Sequence, residues 1–348
     1  MKSSYRKSRN VCLHVVELCS GGGGLSTGFE KAGFSIKLAV DVWQDALETY
    51  KKNHPDTTVV QKNIRFLEAD DVIELSGIDS CDVLLAGLPC QGFSMANRIW
   101  RSKADDPRNY LFRNFIRILR GLKPSFFVIE NVAALPKHNS GRTLKTILSS
   151  TGKLGYKTDY RILNAADYGV PQFRRRIFIM GNNVGADNIF PEKTHCGCGD
   201  CDLPRYRTVK DAIGDLPPLE SGQSSRKYNN HEAMNHTESM LKKMKFVKDG
   251  GDRTQIPELL RPSTGDQRKY IRYNSKEPSI CVTGDMRKVF HYSQNRALTV
   301  RELARLQSFE DDYKFLGSRV SQQQQVGDAV PPLLAKAVAN GVMTGFQS

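Results

Sequence analysis

The 348-residue chain has no run of eighteen apolar residues, which leaves no stretch able to cross a membrane as a helix. Its basic start, Met1 to Asn10, leads into strand-like sequence and not into an apolar core with a small-residue cleavage site. That start reads as a flexible lead and not as a secretory signal. Cysteine is sparse: eight residues scattered along a long chain do not make a disulfide framework, and a reducing cytosol is the simpler expectation. Acidic residues are in deficit, 37 against 51 Lys and Arg, for a net charge of +14 and a pI near 9.4. A surplus of that sign suits a polyanion, of which nucleic acid is the commonest. There is no P-loop lysine, and the dinucleotide pattern G-x-G-x-x-G fails because its last position, counted from Gly21, is Ser26. Internal repeats are lacking, and the polar run Gln322 to Gln325 is too brief for a low-complexity segment. What is present is 39% hydrophobic residues, enough for one large domain and a smaller one.

Val11 to Leu18 reads as a buried first strand, running into Cys19-Ser20-Gly21-Gly22-Gly23-Gly24. Four glycines after a strand let the backbone come close to a ligand, here of nucleoside type. Phe29 to Gly33 suggests a short helix that ends at glycine. Ser35 to Val40 is a second strand, and Asp41 at its end lies 20 residues after Gly21, the usual interval for an acid that bonds ribose hydroxyls. A helix over Gln44 to Asn53 and a short third strand over Val59 to Ile64 follow; most Asn placed as Asn63 is simply make a turn. The fourth strand, Cys81 to Ala86, delivers Gly87-Leu88-Pro89-Cys90-Gln91-Gly92-Phe93-Ser94. In open α/β sheets ligands collect beyond the carboxyl ends of the strands. Alone, Cys90 fits a nucleophile and a buried small hydrophobe about equally.

Ser94 to Asn109 is polar and holds Arg98, Arg101, Lys103 and Arg108; it reads as a long loop able to close on substrate and touch phosphates. A helix over Leu111 to Leu122 precedes a fifth strand, Ser125 to Ile129, which runs into Glu130-Asn131-Val132. A carboxylate there is costly unless it has a partner or a task. Parallel neighbouring strands would bring Glu130 and Cys90 to one crevice. Further on, Leu144 to Leu154 reads as a helix and Tyr156 to Leu163 as a strand. Gln172-Phe173-Arg174-Arg175-Arg176 then sets Arg174 and Arg176 on one face of another, able to grip a phosphate or a carbonyl oxygen.

Glycines after strand one, Pro-Cys-Gln after strand four, Glu-Asn-Val after strand five and Gln-x-Arg-x-Arg beyond form one ordered set. The chain resembles the DNA (cytosine-5)-methyltransferase family of bacterial modification systems. Asn295 to Phe309 is similar to the family's ninth motif and Gln325-Val326-Gly327-Asp328-Ala329-Val330-Pro331-Pro332 to its tenth. The resemblance covers nearly all of residues 11–345 apart from a variable middle. It implies a doubly wound, Rossmann-like α/β sheet using S-adenosylmethionine as methyl donor. It also implies a catalytic domain of residues 1–183 plus 295–348, and a smaller, irregular target-recognition domain of residues 184–294.

By that similarity Cys19, Ser20, Gly21, Gly22, Gly23 and Gly24 hold the methionine part of the cofactor, and Asp41 the ribose. Val42, Asn63, Ile64 and Leu111 lie near the adenine, Pro89 adjoins the site, and Asp328, Ala329 and Val330 fold back beside the first motif. The family usually has Asn where this chain has Asp328; a carboxylate there can disturb local hydrogen bonding or repel another acid. Cys90 is implied as the nucleophile on carbon 6 of a flipped-out cytosine, which makes carbon 5 nucleophilic. Glu130, protonated through burial, is implied to hold ring nitrogen 3, with Arg174 and Arg176 near the base carbonyl and its loop.

Double-stranded DNA is the implied partner, with Gln91, Ser94, Arg98, Arg108, Arg268, Arg272 and Arg287 as contacts. Arg253, Arg261, Lys269 and Lys288 join them as candidates, about a third of the basic residues in the middle being expected to touch DNA. A cytoplasmic, nucleoid-associated monomer is expected, with any cognate restriction endonuclease acting independently. His195, Cys196, Cys198 and Cys201 are closely grouped, but the spacing is cramped and no second Cys-x-x-Cys follows, so a surface loop is expected and no metal. The rivals are an RNA cytosine-5 methyltransferase of the same fold, a silent DNA-binding module and a dinucleotide-dependent oxidoreductase.

Overall fold

The computed structural model describes residues 12–88, 111–198, 201–262 and 269–347. Seven strands form one sheet: β1 (His14–Leu18), β2 (Ser35–Asp41), β3 (Thr58–Gln61), β4 (Val83–Gly87), β5 (Phe126–Val132), β6 (Lys157–Asn164) and β7 (Arg175–Asn182). Their order is β3-β2-β1-β4-β5-β7-β6, and β7 alone runs against the rest. Strand order reverses between β1 and β4, the switch point at which an α/β sheet opens a crevice.

Helices cover both faces, as crossovers between parallel strands require: α1 (Gly24–Glu30), α2 (Gln44–Asn53), α3 (Ala69–Ser76), α4 (Leu111–Leu122) and α5 (Arg142–Gly152). Each central strand is therefore apolar on both sides. Val16, Leu18, Leu84, Phe127 and Ile129 pack into one buried cluster, and Val15, Val83, Leu85, Phe126 and Val128 into another. Alternate residues of the same strand feed opposite faces, as the pleat dictates.

Beyond the sheet, regular structure thins out to α6 (Val209–Ile213), α7 (Glu238–Phe246) and a pair of two-residue strands, β8 (Ile271–Arg272) and β9 (Val289–Phe290). Then come α8 (Val300–Leu306), α9 (Arg319–Asp328) and α10 (Pro332–Gln347). A third cluster joins Val209, Ile213, Tyr273, Val282 and Val289 to Leu298, Leu303, Leu306, Phe315 and Val326, so residues on both sides of position 294 share one core. The last helix returns to the sheet: Leu334, Ala335, Val338 and Val342 of α10 pack in the same cluster as Leu25 and Phe29 of α1. Gly28 makes this approach possible, since a Cβ there would collide with Ala335. Among the described residues no helix is long and apolar enough to cross a membrane.

Three expected details shift. The third strand stops at Gln61, and Asn63 caps a 3-10 turn, its Oδ1 accepting from the Arg65 amide at 3.0 Å. Glu130 lies inside β5, which runs on to Val132. Arg174 precedes β7, which begins at Arg175.

Candidate active site

A cavity of about 930 Å³ opens at the carboxyl ends of β1, β2, β4 and β5. Of the residues expected at a cofactor, Cys19, Ser20, Gly21, Gly22, Gly24, Asp41, Val42, Asn63, Ile64, Leu111, Asp328, Ala329 and Val330 all line it. Gly23 does not. Its φ is +87°, and a Cβ there would strike the His54 ring and the Tyr313 hydroxyl, so this glycine serves the packing behind the loop and not a ligand. A Cβ on Gly24 would likewise meet the Val330 carbonyl. Gly21 differs: nothing lies within 4 Å of where its Cβ would be.

Asp41 ties the loops together. Its Oδ2 accepts from the Gly21 amide at 2.8 Å, and its Oδ1 from the amides of Val42 at 2.7 Å and Trp43 at 2.9 Å. An ionised carboxylate has roughly four acceptor directions, so three are spent and about one faces the cavity. Two buried polar atoms of the wall, Ser20 Oγ and Gln325 Oε1, have no hydrogen-bond partner in the structure. Buried polar atoms are normally satisfied, and orphans that line a cavity mark where a polar ligand docks. Gln325 was overlooked as a site residue although it opens the tenth motif; Trp43, Lys62 and Asn114 also line the wall and carried no motif signal.

Glu17, at the cavity floor, is fully buried against Ser26, whose hydroxyl bonds its Oε2, while the Tyr50 hydroxyl donates to Ser26. Burial pushes its carboxyl up to about 8.

The catalytic end is fixed by register. Gly87 of β4 pairs with Glu130 of β5, so the strand that feeds Pro89-Cys90 ends beside that carboxyl. The Asn131 amide donates to the Leu88 carbonyl at 3.1 Å, holding the turn against β5. Glu130 Oε1 lies 3.0 Å from Arg176 Nε. Burial raises the Glu130 pKa; Arg176 and then Arg174 oppose that rise, while Asp328 adds to it. The Asp328 carboxylate accepts from Gln324 Nε2 at 2.7 Å.

Two expectations are corrected. Arg174 does not share a free face with Arg176: it is buried, and its guanidinium donates to the carbonyls of Val282 at 3.0 Å and of Gly327 and Ala329 at 2.9 Å. It clamps the returning chain and lies outside the cavity lining. Arg272 is not a free surface cation either. It is buried, donating to the carbonyls of Val247, Met244, His291 and Gln294 and to Asn295 Oδ1. Arg253 and Arg261 spend donors on nearby carbonyls, and Arg287 and Lys269 pair with Asp285. Pro89, Cys90, Gln91, Ser94, Arg98, Arg108 and Arg268 lie outside the described residues.

Residues 13–344 match the family described as C-5 cytosine-specific DNA methylase. The chain is 54% identical over 333 residues to the type II methyltransferase M1.HphI of Haemophilus parahaemolyticus, covering 96% of this chain and 87% of that one. It is 34% identical to the type II methyltransferase M.NgoFVII of Neisseria gonorrhoeae, over 95% and 87% of the two chains. Among solved structures, a prophage-encoded DNA modification methyltransferase from E. coli superposes with a TM-score of 0.78 at 25% identity, over 97% of this chain and all of that one.

Proposed function

The chain belongs to the C-5 cytosine-specific DNA methylase family, and from that premise we propose how its residues divide the work. It methylates DNA cytosine at carbon 5, as a modification enzyme of the type II kind. We infer that the 930 Å³ cavity takes S-adenosylmethionine. The residues present fit that group. Asp41 keeps an acceptor for ribose hydroxyls, and the orphaned Ser20 Oγ and Gln325 Oε1 offer polar partners. Gly21 leaves room for a ligand to approach the backbone. When bound, S-adenosylmethionine supplies the methyl group.

The thiolate of Cys90 adds to carbon 6 of an extruded cytosine, and carbon 5 becomes nucleophilic. Glu130, whose proton affinity burial raises, donates to ring nitrogen 3 in its protonated form and offsets the charge that develops there. Arg176, fixed on Glu130, orients that carboxyl toward the base. After transfer a water-assisted base removes the proton from carbon 5 and the thiol leaves. Residues 184–294 act as the target-recognition domain, and the enzyme works as a cytoplasmic monomer on double-stranded DNA, independently of any endonuclease.

The observation that carries this reading is the pairing of Gly87 with Glu130, which sets the strand leading to Cys90 beside a buried carboxyl gripped by Arg176. The test is transfer of tritiated methyl groups to duplex DNA and, in parallel, to transfer RNA. Label is expected on the duplex alone. Cys90→Ser is expected to abolish transfer while S-adenosylmethionine still raises the melting temperature; unchanged turnover refutes the assignment.

A further inference from the structure

Residues 192–207 contribute nothing to the four apolar clusters of the described structure. A segment without buried apolar surface has little to offset the entropy of being ordered. Yet its backbone is tied into a small loop closure: the Cys196 amide donates to the Pro204 carbonyl at 2.9 Å, and the Tyr206 amide to the Cys196 carbonyl at 3.0 Å. Tyr206 in turn packs edge-on against Phe173, and its hydroxyl donates to Asp167 at 2.5 Å. The loop is thus fastened to the turn that leads into Arg174 and Arg176.

Three sulfurs sit inside this loop. The Sγ atoms of Cys196, Cys198 and Cys201 all lie within 4.8 Å of one another. Three thiolates around one ion of zinc size are separated by about 3.8 Å, given Zn–S bonds of about 2.3 Å in a tetrahedron. The structure joins Cys196 and Cys201 as a disulfide, yet their Cα atoms are 7.0 Å apart, beyond the usual disulfide span of about 4.4–6.8 Å; a metal held by the reduced thiols competes with that bond. A disulfide would also leave the Cys198 thiol over, free and exposed beside the pair. His195 does not join them: its ring lies against Gly169, and Nδ1 is 2.9 Å from Thr194 Oγ1.

We propose that Cys196, Cys198 and Cys201 bind one thiophilic divalent cation, zinc, with water in the fourth tetrahedral position, as a staple that closes the 196–206 loop. Binding releases the three thiol protons, and the soft sulfur donors select zinc over magnesium or calcium. The staple replaces the core that this segment lacks and keeps Tyr206 on Asp167. This revises the expectation of a plain, metal-free surface loop.

The test is metal analysis by mass spectrometry of the full-length protein purified without chelator from zinc-replete cells, together with its intact mass under denaturing, non-reducing conditions. About one zinc per chain is expected, falling at least tenfold in Cys198→Ser and in Cys201→Ser and unchanged in Cys281→Ser. Cobalt exchanged into the wild-type protein is expected to give thiolate-to-metal charge-transfer absorption, a readout independent of how the variants fold. A wild-type chain with no zinc and no uptake of added zinc overturns the proposal, as does a mass two daltons below the reduced form or zinc retained by Cys198→Ser.

Discussion

Residues 14–182 bury Val, Leu, Ile and Phe on both faces of a sheet, whereas residues 209–328 bury Arg272, Arg296 and Arg301. The sheet satisfies its backbone through strands four to eight residues long, but the later region has strands of only two. Its carbonyls therefore need other donors. Arg301 gives Nε to Asn229, one terminal nitrogen to Glu310 and the other to Tyr313, all at main-chain oxygens. Arg272 does the same for Met244, Val247, His291 and Gln294. Arg296 is completed by Glu302, whose oxygens lie 2.6 and 2.8 Å from its terminal nitrogens. A guanidinium carries five donors in a rigid fork, so one buried arginine can stand in for a stretch of missing ladder. The loop-rich half adds charge-assisted hydrogen bonds to its own apolar core, whereas the sheet half rests on apolar area and its ladders.

The sharpest way to break this contrast is Glu302→Ala. It strands Arg296 without its carboxylate and also removes the capping bond from the Thr299 amide to Glu302. The expected cost is about 3–5 kcal/mol in urea denaturation. A cost comparable to a surface change would show that the arginines are passengers. Arg176→Ala touches the catalytic end of the sheet. It should lower kcat by about 10²–10³ with little change in the melting curve, as measured by tritiated methyl transfer. Arg174→Lys, two residues earlier, should do the reverse. It should lose about 1.5–3 kcal/mol of stability, because an ammonium cannot span the carbonyls of Val282, Gly327 and Ala329 together.

The pH dependence of stability separates the halves again. Glu17 holds its proton up to about pH 8 in the folded protein but ionises in the ordinary carboxyl range once unfolded. Between those limits the folded state binds the extra proton, so stability falls as pH rises and levels off above about 8. Glu17→Gln should flatten that decline in thermal melts taken across the range. A persisting slope would assign it elsewhere. The smallest effect is expected at Leu259, fully exposed in the loop-rich half, where Leu259→Ser should shift stability by no more than about 0.5 kcal/mol.

The sheet was legible because burial on both faces writes itself as continuous apolar runs, and because each site motif follows a strand end. Thus Asp41, Glu130 and Gly21 come together around one cavity. Arg174 and Arg272 were misread for one physical reason. A buried guanidinium bonded to main-chain carbonyls and a solvated one awaiting phosphate look identical in a sequence, since the carbonyls that distinguish them come from residues up to 155 positions away. Gly23 fails similarly: one of four adjacent glycines, it is required by His54 and Tyr313, which arrive from other parts of the chain. Gln325 could have been found, as it stands at the head of a motif already recognised.

The cavity at the strand ends takes one wall from residues 17–25 and another from residues 325–330. Those two walls are separated by nearly the entire chain, so during translation the first emerges from the ribosome long before the second exists. A nascent polypeptide therefore has no finished pocket until residues 325–342 have emerged and α10 has docked onto α1.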